Sequence, residues 1–186
     1  MKRLHLYLLA SCLNLISIPY STAEEILMID NFESQPELRW RYFSDQVMGG
    51  ISQGGVKFDT EQGEPFAHLT GQVSTANNGG FIQVRREIAK ASVVSAIGVY
   101  LKVRGNGQPY YVHLRTSGSR LPWQYYQASF QTTRKWQTIK VPLTAFASSS
   151  NWLSKSVKPR SLRSIAVVAF GREHSADIEI AEIGFY

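Results

Sequence analysis

The 186 residues are 44% hydrophobic and 18% charged, with 14 glycines, 7 prolines, 1 cysteine and a formal net charge of +6. That balance excludes a disordered, collagenous or low-complexity chain, and the length suits one hydrophobic core that folds without staples. At the start, Lys2 and Arg3 precede a mostly apolar stretch over 4–18, and Ser21-Thr22-Ala23 places small residues ahead of Glu24. This is the layout of a secretory signal, so residues 1–23 are expected to direct export to the periplasm or the medium, leaving a single domain over 24–186. Leu9-Ala10-Ser11-Cys12 also fits a lipobox, which makes a lipid anchor at Cys12 the alternative; the short apolar run ahead of it, interrupted by His5, favours soluble export. The 4–18 stretch falls short of the ~20 apolar residues of a membrane span, so no transmembrane segment is expected in the mature chain.

Without its signal the chain has no cysteine, which removes disulfides, thiol nucleophiles and thiolate metal ligands. Loss of Lys2 and Arg3 leaves 18 basic residues against 14 acidic, a net charge of +4, and the basic residues are dispersed. Nucleic acid is therefore not an expected partner.

The mature chain reads as strand after strand. Period-two alternation and β-branched or aromatic runs punctuated by Gly, Asn, Pro and Ser predict strands over 26–31, 40–44, 55–58, 66–70, 80–85, 96–104, 110–115, 125–132, 137–141, 164–170 and 177–185. No three-turn helix is expected, and two packed antiparallel sheets fit the pattern: an all-β sandwich. Gly54-Gly55, Asn78-Gly79-Gly80 and Gly105-Asn106-Gly107 are read as turns that supply positive φ. The 147–158 segment has no strand pattern, and Trp152 within it is expected to plug the sandwich edge.

Few motifs carry bond-breaking chemistry. Gly50-Ile51-Ser52-Gln53-Gly54 matches the nucleophile-elbow pattern, but it is followed by a strand pattern and not a helix, so a catalytic serine is not expected and the chain is read as non-catalytic. His68, His113 and His174 are far apart and show no ligand spacing. Asp30 and Glu33 facing Glu179 or Glu182 would make the best hard-ion site; no cofactor is expected. Amide, guanidinium and phenol groups do recur together: Asn77 and Asn78 before Gly79-Gly80-Phe81, Arg85 and Arg86 closing that run, Arg115, and Tyr125-Tyr126-Gln127. Such groups hydrogen-bond hydroxyls or carboxylates while stacking a flat ring or peptide, a recognition chemistry. The alternative, that Arg115 and Asn77 satisfy buried backbone groups, stays open.

The run from Trp40 through Ser44-Asp45-Gln46-Val47-Met48-Gly49-Gly50 to Ser52 resembles the signature of the complex I intermediate-associated protein 30 family. Gly71-Gln72-Val73-Ser74 with Asn77-Asn78-Gly79-Gly80-Phe81 and Arg85 is similar to its second block, and Val103-Arg104-Gly105-Asn106-Gly107 with Tyr110 and Leu114-Arg115-Thr116 to its third. Tyr126 to Phe130 and Trp136 to Leu143 extend the likeness. The resemblance implies a jelly-roll β-sandwich akin to galactose-binding domains and carbohydrate-binding modules, and, from the family's mitochondrial members, a chaperone-like assembly role. Carbohydrate-binding relatives often place an Asp beside a structural calcium near the last strand, where this chain has Ala181-Glu182, so no metal is expected. Two roles follow. The first is a non-catalytic exported module that binds a protein partner through Asp45, Asn78, Arg85, Arg115, Tyr126 and Gln127. The second is a glycan-binding module in which Trp123, Tyr125 or Tyr126 stacks a sugar ring and Arg115 or Asn77 reads hydroxyls.

Overall fold

Residues 26–89 and 93–186 are described by a computed structural model. The signal and lipobox readings, and Cys12 with them, lie outside these residues. The chain forms two antiparallel sheets of six strands. The first contains β1 (Leu27–Asp30), β3 (Gln53–Glu61), β4 (Glu64–Val73), β6 (Gly98–Gly105), β9 (Gln137–Pro142) and β12 (His174–Phe185). Its order is β3-β4-β12-β6-β9, with β1 taking up the end of β12 that β4 leaves unpaired. The second contains β2 (Trp40–Ser44), β5 (Phe81–Glu87), β7 (Pro109–Thr116), β8 (Tyr126–Gln131), β10 (Ala147–Ser148) and β11 (Leu162–Phe170), in the order β10-β8-β7-β11-β5-β2. Helix is confined to 3-10 turns of three or four residues among the described residues.

All eleven expected strands form, most on the alternation that a half-buried strand needs and β11 as a nearly continuous apolar run buried on both faces. Their inward side chains meet between the sheets: Leu69, Leu101, Ile178 and Ile180 from the first, Val112, Leu114, Ile165 and Val167 from the second, all fully buried. Each such Leu or Ile contributes roughly 1.5–3 kcal/mol through apolar burial.

Three local expectations change. Gly54-Gly55 is not a turn but lies inside β3, where Gly54 pairs with Gly71 of β4. A Cβ on Gly54 would stand 2.4 Å from the Thr70 carbonyl oxygen and one on Gly71 would stand 2.2 Å from that of Gln53, so both glycines serve a close approach of two backbones. The actual reversal is at Gln62 and Gly63, both with positive φ, joining β3 to β4. Trp152 does not plug the sandwich: it is 90% exposed, and Leu153 and Val157 of the same segment enter the core instead. Three of the four acidic residues considered for a hard ion are engaged by cations, with Asp30 held by Arg39 and Arg86, Glu179 by Arg104 and Glu182 by Lys102.

Candidate functional site

The outward face of the second sheet carries a hollow of about 530 Å³. Its origin lies in the alternation of the central strand. On β11 the outward positions are Ser164, Ala166 and Val168, all buried, and in register beside Ala166 lie Arg85 on β5 and His113 on β7. Small side chains on the central strand between long ones on its neighbours make a floor with walls, and Gln83, Arg85, His113 and Arg115 stand as those walls. Aromatic rings close the rest. Tyr125 stacks on His113 with centroids 4.1 Å apart and planes 12° apart, and Phe170 meets His113 edge-on at 5.4 Å. Across the hollow, the Arg85 guanidinium lies 4.2 Å over the Phe43 ring.

Two loops form the rim. The loop after β7 is pinned by Arg115, whose Nη2 donates to the carbonyls of Ser119 at 2.9 Å and Leu121 at 3.0 Å. Buried Gln124 accepts the backbone N–H groups of Arg120 and Leu121, and the Ser149 hydroxyl donates to the Trp123 carbonyl at 2.7 Å. Trp123 is thereby presented on an ordered loop, 56% exposed, with its surface on the hollow. The opposite rim is the 3-10 turn Asp45–Met48 together with the Asn78-Gly79 approach to β5. Both are organised by one carboxylate. Asp45, fully buried, accepts from Ser52 N at 2.9 Å, Ser52 Oγ at 2.5 Å, Gly80 N at 2.6 Å and Phe81 N at 3.3 Å. Burial pushes its carboxyl up, but these hydrogen bonds outweigh burial and hold it below the usual carboxylate range. Gly50 and Gly79 make room for it, since a Cβ on either would fall within 2.4 Å of Asp45 side-chain atoms.

Electrostatically the hollow is apolar with a basic end. Burial pushes the His113 imidazole down to about 3, so it is a neutral stacking ring at ordinary pH. Burial likewise pushes the Tyr125 phenol up. Neither Arg85 nor Arg115 has a carboxylate partner within ion-pair distance among the described residues.

The nine residues given a binding role from the sequence divide. Asn78, Arg85, Arg115 and Trp123 line the hollow together. Asn77 is exposed on the neighbouring turn with φ 56°, and Gln127 sits opposite His113 in register but outside the lining. Asp45 is the buried organiser of the rim. Tyr126 faces the interior, 2% exposed, with its hydroxyl donating to the Ser154 carbonyl, because it is in phase with Ala128 and Phe130 on the core side of β8. The same phase turns Tyr125 outward, and that signal was present in the sequence. Phe43, Phe81, Gln83, His113 and Phe170 were missed, since nothing local says which face of the second sheet is covered and which is open. Ser52 is fully buried, its hydroxyl donating to Asp45 and accepting from Ser74 N. Among the described residues no three His, Cys, Asp or Glu side chains group as metal ligands.

Solved structures similar to this chain include carbohydrate-binding modules and an agarase. The family 11 carbohydrate-binding module of a cellulosomal cellulase of Clostridium thermocellum superposes with a TM-score of 0.71 at 14% identity, over 88% of this chain and 95% of its own. The Clostridium thermocellum module in complex with a beta-1,3-1,4-mixed-linked tetrasaccharide gives 0.70 at 14% identity, over 86% and 94%. An exo-beta-agarase gives 0.53 at 12% identity, with 86% of this chain matching 25% of that one. At such identities the likeness establishes the galactose-binding-like sandwich fold. No curated protein matches the chain significantly. The family model for complex I intermediate-associated protein 30 matches residues 30–178, nearly the whole sandwich from the end of β1 into β12, and the chain belongs to that family.

Proposed function

We propose that the protein is a non-catalytic binding module that takes a carbohydrate into the hollow on the second sheet. The observation that carries this reading is the pairing of an ordered aromatic, Trp123, with the Tyr125–His113 stack around Arg85, Arg115 and Asn78. Sugar rings present apolar faces to aromatic side chains and hydroxyls to amides and guanidinium groups, and this hollow offers both within one cavity. The sandwich shared with carbohydrate-binding modules supports it. Binding without catalysis is supported by Ser52, whose hydroxyl is sealed against Asp45 in the interior. Export through residues 1–23 would place the module where polysaccharides are met.

Affinity electrophoresis of the protein through gels containing β-glucans, galactans and uronate polymers tests the proposal. Retardation by at least one polymer is expected, with Trp123→Ala and Tyr125→Ala each reducing retention at least tenfold while shifting the thermal midpoint little. A wild type retarded by none of them overturns it.

A protein partner, in keeping with the assembly role of the family's mitochondrial members, is the second reading. It is favoured by the apolar rim, where Val47 is 73% and Met48 58% exposed beside the hollow. Pull-down from the native envelope, with and without competing soluble glycans, separates the two: release by sugar supports the glycan, and a defined complex indifferent to sugar supports the partner.

A further inference from the structure

Beside the hollow lies a second, polar cleft of about 340 Å³ that shares Arg85, Arg115 and Ser164 with it. Arg85 and Arg115 line both spaces, and Arg163 joins them in the cleft. The third arginine is there because of a defect in the sheet. Leu162 pairs with Thr116 and the next partner pair is Ser164 with Arg115, so Arg163 has no β7 residue opposite it and is a bulge residue. Strict alternation would send Arg163 to the face opposite Ser164; the bulge re-aims it so that both line the same cleft.

Three arginines thus line one cleft, with one carboxylate, Glu87, among its lining. Glu87 is exposed and forms no ion pair with any of the three among the described residues. The internal hydrogen bonds of these guanidinium groups are few among the described residues: Arg115 uses Nη2 on two loop carbonyls, Arg163 uses Nη1 on the Leu162 carbonyl, and the Arg85 guanidinium makes none. Burial and the neighbouring Arg85 charge hold the Arg115 guanidinium below its ordinary value, with Glu87 acting the other way. Holding like charges side by side with no carboxylate ion-paired to them is unfavourable, and an anion between them relieves it through charge-assisted, bidentate hydrogen bonds. Thr116 and Ser164, both lining the cleft, add hydroxyl groups beside the charges.

We propose that the Arg85, Arg115 and Arg163 cleft is an anion subsite, and that the carbohydrate taken by the hollow is an acidic one whose carboxylate or sulfate group sits there. This rests on the hollow being a carbohydrate site, and its test separates the two ideas. Affinities are measured calorimetrically for an oligogalacturonate and its carboxyl-reduced counterpart, and for a sulfated galactan oligosaccharide and its desulfated counterpart. Acetate and inorganic sulfate serve as anion probes that carry no sugar ring.

At least one acidic oligosaccharide is expected to bind tenfold or more tightly than its neutral counterpart, by a margin that shrinks with added salt. Which pair shows the margin tells carboxylate from sulfate. Arg163→Gln and Arg85→Gln are each expected to pull the acidic-to-neutral affinity ratio toward one, with thermal midpoints near wild type. Equal affinity for acidic and neutral forms overturns the anion subsite and leaves the carbohydrate site standing. Binding of acetate or sulfate that both variants abolish, with no oligosaccharide bound, retains the subsite and overturns the carbohydrate reading. An acidic preference untouched by both variants places the anion elsewhere and overturns the assignment.

Discussion

Replacing Asp45 with asparagine removes one charge and almost no volume, and it isolates what the carboxylate does for the rim of the hollow. In the wild type, Oδ2 accepts from Ser52 Oγ, Gly80 N and Phe81 N, while Oδ1 accepts from Ser52 N. The best-placed asparagine keeps its oxygen at the Oδ2 position and turns its NH₂ toward the Ser52 N–H, so one buried donor loses its acceptor at roughly 1–3 kcal/mol. The three remaining bonds change from charge-assisted to neutral, a loss of up to about 1 kcal/mol each, and relief from burying a charge offsets part of it. The expected net destabilisation is about 3 kcal/mol, a thermal midpoint lower by roughly 6–12 °C for a chain of this size. Urea unfolding followed by tryptophan fluorescence measures it at pH 7. Because the wild-type carboxyl is held low in the folded state, its contribution is full above the ordinary value of about 3.9 and is lost as pH falls through the folded value. The gap between wild type and Asp45→Asn should therefore narrow in acid. A loss below about 1 kcal/mol with an unchanged denaturant slope, or a gap that does not close in acid, would refute the reasoning.

Gly50→Val is expected to cost more than ~2 kcal/mol, since its Cβ would fall 2.3 Å from Asp45 Cγ in a fully packed site; a variant as stable as wild type would mean that the turn relaxes freely. His113 makes the wild type acid-sensitive well above the carboxylate range. Its imidazole is held at about 3, against the ordinary 6.5, so the unfolded chain takes up a proton that the folded chain refuses, and stability declines as pH falls from 6.5 toward 3. His113→Phe should flatten the fall in unfolding free energy between pH 7 and pH 5, and an equal slope in the variant would remove His113 as its cause. For Trp152→Ser, at a position 90% exposed, unfolding free energy should stay within about 0.5 kcal/mol of wild type; a loss of several kcal/mol would contradict its placement on the surface.

Strand existence was legible in the chain because alternation is a local property: β2 falls over the expected 40–44, and the ends of most other strands move by only a few residues. What misled local reading were glycines and aromatics whose roles depend on distant atoms. Gly54 looks like half of a turn, yet it is needed because the backbone of β4 passes too near for a side chain. Trp152 looks like core by composition, but the edge was already filled by Leu153 and Val157.

By itself, the sequence determined the class of fold, the family and the polar and aromatic residues from which a recognition surface is made. Only the tertiary structure decided which of them meet. The pairing of β11 with β5 and β7 set Arg85, Arg115 and His113 around a floor of Ser164 and Ala166, across sequence separations that no periodicity encodes. The phase of β8 turned Tyr125 out and Tyr126 in, a one-residue choice fixed by which face packs against the other sheet. A single unpaired residue in β11 brought Arg163 to the same end. Such choices depend on free-energy differences between whole arrangements of two sheets, and a strand pattern read one segment at a time carries no information about them.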